Sequence, residues 1–250
     1  MSLAKKSLGQ LLCDTFLLLK RNLFSLSGVV FATYFPLGFL SFLFFWVTFV
    51  FKDKIDIFFA QKSILAVIVF IVFFSALIAV VFLTMMLFSI AIIKKIKACD
   101  EKKGLSVQEA YRCSVAALGP FCIVSLWVLL KVSLWSLLLI IPGIVFALFY
   151  SFAQIVFVLE DKRGLAALVR SRNIIQPYFW EFIGKSLVAG LIFFVISGPC
   201  QLIVYLAFPS KVGWDPIMAA VLVNFINGFL GVFPVVFGYF LYKDLKERGI

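Results

Sequence analysis

Between Val115 and Leu159 the chain runs for 45 residues with a single charge, Lys131. An α-helix of that length would rise about 68 Å, more than twice the ~30 Å hydrocarbon core of a bilayer. The run therefore holds two crossings and a turn. Pro142-Gly143 is the strongest breaker pair in it, but a turn there leaves 16 residues from Ile144 to Leu159, short of a full crossing. A turn near Lys131 to Ser136 gives two nearly equal spans and puts Trp127 and Trp135 at interface depth, where amphipathic rings collect. We favour the second position. Pro142 and Gly143 then mark a kink near the start of the fourth span, its freed backbone groups satisfied by neighbouring helices or serines.

The remaining apolar runs follow the same logic. The expected spans are 23–51, 64–93, 115–135, 137–159, 179–208 and 217–242, each near or above the roughly 20 residues that a crossing needs. With 64% hydrophobic and 14% charged residues and a mean hydropathy of +1.14, the chain lies far outside the soluble range. No dyad alternation argues for a β-barrel. The expectation is an all-α polytopic membrane protein, residues 1–250 forming one membrane domain with no appended soluble one. Lys5 and Lys6 are not followed by a short apolar stretch with a cleavage site, so a cleaved signal peptide is not expected.

Basic residues set the orientation. The N-terminal segment, the second and fourth connectors and the tail hold seventeen Lys and Arg, against five in the alternate loops: Lys52, Lys54, Lys62, Lys131 and Lys211. The positive-inside rule places both termini in the cytoplasm. Lys131 then sits at the outer interface rather than at mid-membrane.

A weak repeat precedes the odd spans. Leu8, Leu11, Leu12 and Leu19 form one stripe, Val107, Ala110, Tyr111 and Leu118 a second, and Leu165, Leu168 and Val169 a third. The i, i+3, i+4 spacing is that of one helical face, which predicts three hairpins, each preceded by a cytoplasmic interfacial amphipathic helix. Seven residues after the first stripe residue stand Thr15, Ser114 and, in the third copy, Arg172. A cation on an apolar stripe must reach phosphate, pair with a carboxylate such as Glu160 or Glu181, or enter a cavity. Arg163 and Arg170, on the opposite face, read as phosphate-facing charges. Glu181 and Lys185 form a favourably oriented i, i+4 pair. Glu160, Arg163, Arg170, Arg172, Glu181 and Lys185 are thus the candidates for a charged cavity or for lipid-headgroup contacts.

The order Ile141-Pro142-Gly143, about 16 residues to Glu160, then Ala167, Arg170-Ser171, Trp180 and Gly184 resembles a broad bacterial family of six-span membrane proteins. That family includes the membrane domain fused to some glycerophosphodiester phosphodiesterases and stand-alone members of unknown function. The resemblance covers roughly 45 residues and implies six helices with cytoplasmic termini in a bacterial inner membrane. It implies no catalysis, because in fused members the chemistry lies in a soluble domain.

Sequence signals for chemistry are few. The chain has no histidine, the commonest general base and metal ligand. Cys13, Cys99, Cys113, Cys122 and Cys200 lack CxxC spacing and read as small apolar fillers, and neither a metal site nor a cofactor motif is present. Asn224 and Asn227 read as interhelical hydrogen-bonding groups, and Gly228, Gly231 and Gly238 as points of close helix approach. The net charge of +11 points to anionic headgroups on the cytoplasmic side rather than to nucleic acid. Two function classes follow: a membrane-organising module that binds lipid, a protein partner or a second copy of itself, and a small transporter or lipid-handling protein with a charged cavity. An enzyme acting on lipids ranks third.

Overall fold

The computed structural model describes residues 5–50, 64–208 and 215–248. It is helical, with no strand among the described residues: α1 Leu8–Val50, α2 Ile64–Asp100, α3 Val107–Leu138, α4 Ile140–Phe149, α5 Ala153–Glu160, α6 Leu165–Ile175, a 3-10 turn Gln176–Tyr178, α7 Phe179–Ala207, α8 Asp215–Leu230 and α9 Val232–Arg248. Six stretches are long and apolar enough to cross a membrane: Leu8–Leu43, Val67–Asp100, Val107–Leu137, Ile140–Glu160, Leu165–Ala207 and Met218–Arg248. Large apolar side chains stand exposed along them, among them Phe73, Leu134 and Phe194. This is compatible with a multi-pass membrane protein, since water would penalise so much contiguous apolar surface. Four of the cations counted as outside, Lys52, Lys54, Lys62 and Lys211, lie outside the described residues.

Several boundaries differ from expectation, each for a local reason. The chain breaks at Leu139, whose backbone is extended (φ −160°, ψ 138°), neither at 131–136 nor by a kink at Pro142-Gly143. Pro142 is the third residue of α4, where a missing N–H costs nothing because the first four N–H groups of a helix lack intrahelical partners. Gly143 has a different task. A Cβ there would lie 2.8 Å from Ser136 Cα, so glycine lets α4 pack back on α3, where Trp135 stacks on Phe146 with centroids 4.5 Å apart. The fourth span is also two helices rather than one. Between α4 and α5 the chain bends at Tyr150 to Phe152, and Ser171 Oγ donates to Phe149 O (2.7 Å) and accepts from Phe152 N–H (3.2 Å).

The stripe segments differ in how they join their spans. α1 bends at Asn22 (φ −118°, ψ 21°), whose amide donates to Leu18 O (3.1 Å). α3 has no such break, and α6 is separated from α7 by a 3-10 turn that contains Pro177. Capping boxes open the first two segments. Ser7 Oγ accepts from Gln10 N–H while Gln10 Oε1 accepts from Ser7 N–H (3.2 and 2.8 Å). Ser106 and Glu109 repeat the exchange (3.1 and 2.9 Å), satisfying donors that a helix start leaves open.

Those caps give the register. Eight residues beyond Ser7 and Ser106 are Thr15 and Ser114, both fully buried, and each hydroxyl donates to the carbonyl four residues back (2.7 and 2.6 Å). In the third segment the fully buried hydroxyl is Ser171, with Ala167 buried one turn before it, and Arg172 is exposed. The expected charge on the buried stripe is therefore a one-residue register error: the hydroxyl is retained and Arg172 lies beside it on the open face.

The chain divides into two compact units. One, Val30–Met85 with Val195–Leu230, centres on Val204, Ala219 and Val223 with Phe208 and Ile226 packed against them. A Cβ on Gly228 would come within 2.8 Å of the Tyr34 ring, so a glycine is needed for that approach. Gln201 donates to Asn227 Oδ1 (3.0 Å), and Asn224 is exposed. The other unit, Met1–Val29, Met86–Phe194 and Gly231–Ile250, holds the polar chemistry. Its centre is α9. The sixth apolar stretch, expected over 217–242, spans Met218–Arg248 as two helices divided at Gly231, and α9 carries the charged residues after Tyr242 on to Arg248 with Val236, Leu241, Asp244 and Leu245 buried.

Candidate functional site

α9 carries three pairs of polar residues at i, i+4 spacing, and each pair grips a different partner in the same unit. Tyr239 Oη and Lys243 Nζ both donate to Asp100 Oδ2 (2.9 and 2.7 Å). Tyr242 Oη and Lys246 Nζ both reach Glu160 Oε1 (2.6 and 2.8 Å). Asp244 and Arg248 engage Lys185 and Glu181 (3.2 and 3.0 Å). A helix brings residues four apart to one face, so one turn of α9 serves each contact.

Asp100 and Glu160 occupy corresponding places in a repeated hexapeptide, Asp100-Glu-Lys-Lys-Gly-Leu105 and Glu160-Asp-Lys-Arg-Gly-Leu165. Each follows the last turn of an apolar helix and gives its first carboxylate to a Tyr-x-x-x-Lys pair of α9. This hexapeptide, together with the i, i+4 spacing in the last ten residues, is the signal in the sequence that would have identified the α9 contacts.

The six candidate residues fall into separate clusters rather than around one cavity. Glu160 is held by Arg170 (3.2 Å), Lys162 (3.8 Å), Lys246 and Tyr242. Arg163 faces Asp161 at 3.6 Å, both exposed. Arg172 lies over the Phe149 ring, 5.7 Å from its centroid. Glu181 and Lys185 form the expected pair at 2.7 Å, inside a larger network. Lys185 Nζ also donates to Asp244 Oδ2 (3.2 Å) and Lys6 O (3.0 Å), so its three N–H groups have three acceptors. Arg248 bonds Glu181 through two nitrogens (3.2 and 3.0 Å) and Asp244 through Nη2 to its carboxylate (2.8 Å) and Nε to its carbonyl (3.3 Å). Lys6 N–H completes Asp244 (3.2 Å) and Lys5 reaches Glu181 (3.1 Å). With Lys185 and Asp244 only 8% and 3% exposed at the side chain, this is a closed, saturated cluster that ties the N-terminal segment to α7 and α9.

A cavity of about 690 Å³ lies elsewhere in this unit, bounded by the start of α1, the end of α2, the 101–105 connector and α9. Lys6, Arg21, Lys95, Lys102, Lys103 and Lys243 line it, against the carboxylates of Asp14 and Asp100. Both carboxylates are taken, by Lys6 and Lys243 at 2.7 Å each. Lys103 bonds Glu101 (2.6 Å) and holds that carboxyl below its usual range. Lys95 is 5% exposed and its ammonium donates to the Leu105 carbonyl. Among the described residues the side chains of Arg21 and Lys102 make no ion pair or hydrogen bond. The backbone at Lys102 is left-handed (φ 55°). It closes α2 with Lys102 N–H on Cys99 O (3.3 Å) and Lys103 N–H on Ala98 O (2.8 Å), the pattern in which glycine usually takes the left-handed place.

A second cavity of about 380 Å³ is mainly apolar, lined by residues including Phe88, Ile92, Phe182 and Phe237 with Ser89, Gln154 and Ser186. Among the described residues no three His, Cys, Asp or Glu side chains are grouped so as to hold a metal ion. The five cysteines are free; Cys13 and Cys113 are exposed rather than filling apolar space. Comparison with protein-family models, with curated proteins and with solved structures gives no match to this chain.

Proposed function

We propose that the chain is a non-enzymatic membrane module that holds anionic lipid headgroups on the cytoplasmic side of a bacterial inner membrane. Its six crossings form three hairpins, each entered through a segment lying in the interface, as the resemblance to the six-span family implies. One observation carries this reading. In all three segments an exposed apolar side chain stands one helical turn from an exposed cation with no carboxylate partner among the described residues: Phe16 with Lys20, Val115 with Arg112, Val169 with Arg172. Such a pair suits a bilayer interface, where the apolar member enters the acyl boundary and the cation reaches phosphate. Glu181 and Lys185 use their charge on each other and on α9, and Glu160 uses its own on Arg170 and α9, which speaks for a structural role.

The test is lipid retention by native mass spectrometry, dioleoylphosphatidylglycerol against dioleoylphosphatidylcholine. Each cation near an anionic surface contributes about 1 kcal/mol, so K20E, R112E and R172E combined should lower the preference for phosphatidylglycerol at least tenfold. An unchanged preference would defeat the reading. A lipid-transporting role draws on the apolar cavity. An added Cβ at Gly190, which lines it, meets nothing within 4 Å, so Gly190→Phe should fill the cavity and stop lipid transfer between vesicles if transport is the function.

A further inference from the structure

We propose that the cavity between α1, α2, the 101–105 connector and α9 is a binding site for a phosphate group, carried by a lipid headgroup or by a soluble phosphate ester. The proposal rests on the reading that this chain meets anionic membrane groups, and adds a defined site.

Charge balance is the first argument. Every carboxylate that lines the cavity is already neutralised, by Lys6 or Lys243. Among the described residues the Arg21 and Lys102 side chains make no ion pair, and Lys95, whose charge reaches the Glu109 carboxylate, makes no direct ion pair either. Lys95 is the telling member, because it is 5% exposed and a single backbone carbonyl is its hydrogen-bond partner. A buried ammonium hydrogen-bonded to one neutral acceptor keeps part of its desolvation cost, and an anion in the cavity offsets that cost.

Backbone conformation is the second. Lys102 occupies a left-handed position at φ 55° where glycine would be unstrained, while Gly104 stands two residues on. Lysine at this strained position sets a cation beside the cavity. The second hexapeptide shows the contrast at the matching position: there Lys162 lies 3.8 Å from Glu160, whereas Lys102 makes no ion pair among the described residues.

The ligand class follows from the donors. Phosphate carries a charge of about −1.5 to −2 near neutral pH with three acceptor oxygens, enough to engage an arginine fork and two separate ammonium groups. A volume of about 690 Å³ exceeds what inorganic phosphate needs and suits a headgroup or a small phosphate ester.

The test uses the full chain in phosphatidylcholine nanodiscs. Dioleoylphosphatidic acid, read by native mass spectrometry, forms one arm; glycerol 3-phosphate and inorganic phosphate, read by calorimetry, form the other. Arg21→Gln with Lys102→Gln should weaken binding at least tenfold in one arm, and that arm identifies the source of the phosphate. Lys131→Gln with Lys162→Gln, outside the cavity lining and outside the interfacial pairs named above, should change it less than twofold. Lys102→Gly guards against misfolding, since it removes the cation and relieves the backbone: it should bind more weakly with thermal stability equal to or above wild type. Wild-type binding by the cavity variants, or an equal loss in the Lys131 and Lys162 control, overturns the site and leaves the general lipid reading standing. No wild-type binding in either arm also overturns it, whereas loss of the phosphatidylglycerol preference itself would remove the broader reading.

Discussion

Replacing Lys185 by methionine tests the central cluster most directly. Methionine keeps most of the apolar stem, so the loss is that of the ammonium and its three bonds to Glu181 Oε1, Asp244 Oδ2 and Lys6 O. Removing one partner of a buried ion pair typically costs about 3–5 kcal/mol. Here the residual charges are not abandoned: Glu181 keeps its two bonds from Arg248, and Asp244 keeps Arg248 and the Lys6 N–H. The expected loss for K185M is therefore at the lower edge, about 2–3 kcal/mol. Asp244→Asn leaves Lys185 on Glu181 and should cost about 1–2 kcal/mol. Combined, the two substitutions should fall short of the sum of the single effects by at least about 1 kcal/mol, because they act on one network. Reversible unfolding in mixed detergent and SDS micelles, followed by circular dichroism and tryptophan fluorescence, measures all three. A loss below about 1 kcal/mol for K185M, the range of an exposed pair, or strict additivity, would refute the account of a closed and buried cluster.

Further outcomes follow from particular contacts. Ser171→Ala removes the bridge between Phe149 O and Phe152 N–H and should cost about 1–3 kcal/mol. Ser114→Ala deletes a hydroxyl that bonds only its own helix and should cost less than half as much in the same assay. Gly228→Val drives side-chain atoms into the Tyr34 ring, and overpacking of this kind costs about 1–3 kcal/mol. If the positive-inside orientation holds, single-cysteine variants that keep exposed Cys13 or Cys113 should react with a membrane-impermeant maleimide in inside-out vesicles and not in intact spheroplasts; labelling in spheroplasts would reverse the topology.

The local errors share one origin. Pro142-Gly143 drew attention as a breaker pair, yet a proline in the first turn and a glycine facing Ser136 are the start of a helix packed on its neighbour, and sequence spacing does not distinguish the two uses. Arg172 was placed on the buried stripe because the third segment has no capping serine to set its register, and a shift of one residue turns a helical face by about 100°. Span length misled at α9 in the same way. The hydropathy falls after Tyr242, but burial there is sustained by ion pairs of Asp244 and Arg248 beside the fully buried Leu245.

The amino-acid sequence by itself determined that this chain is helical and multi-pass, because apolar runs of crossing length leave no other way to satisfy their backbone hydrogen bonds in hydrocarbon. It also contained the Glu181 and Lys185 pair, a contact within one helix. Only the tertiary structure decided where the charges meet. Asp100, Glu160 and Lys185 stand on different helices and converge on α9 from 143, 82 and 59 residues away in sequence. Electrostatic partners are chosen by distance in space, and the three-dimensional path of the chain is what gathers Arg21, Lys95 and Lys102 around one cavity with no direct ion pair among the described residues.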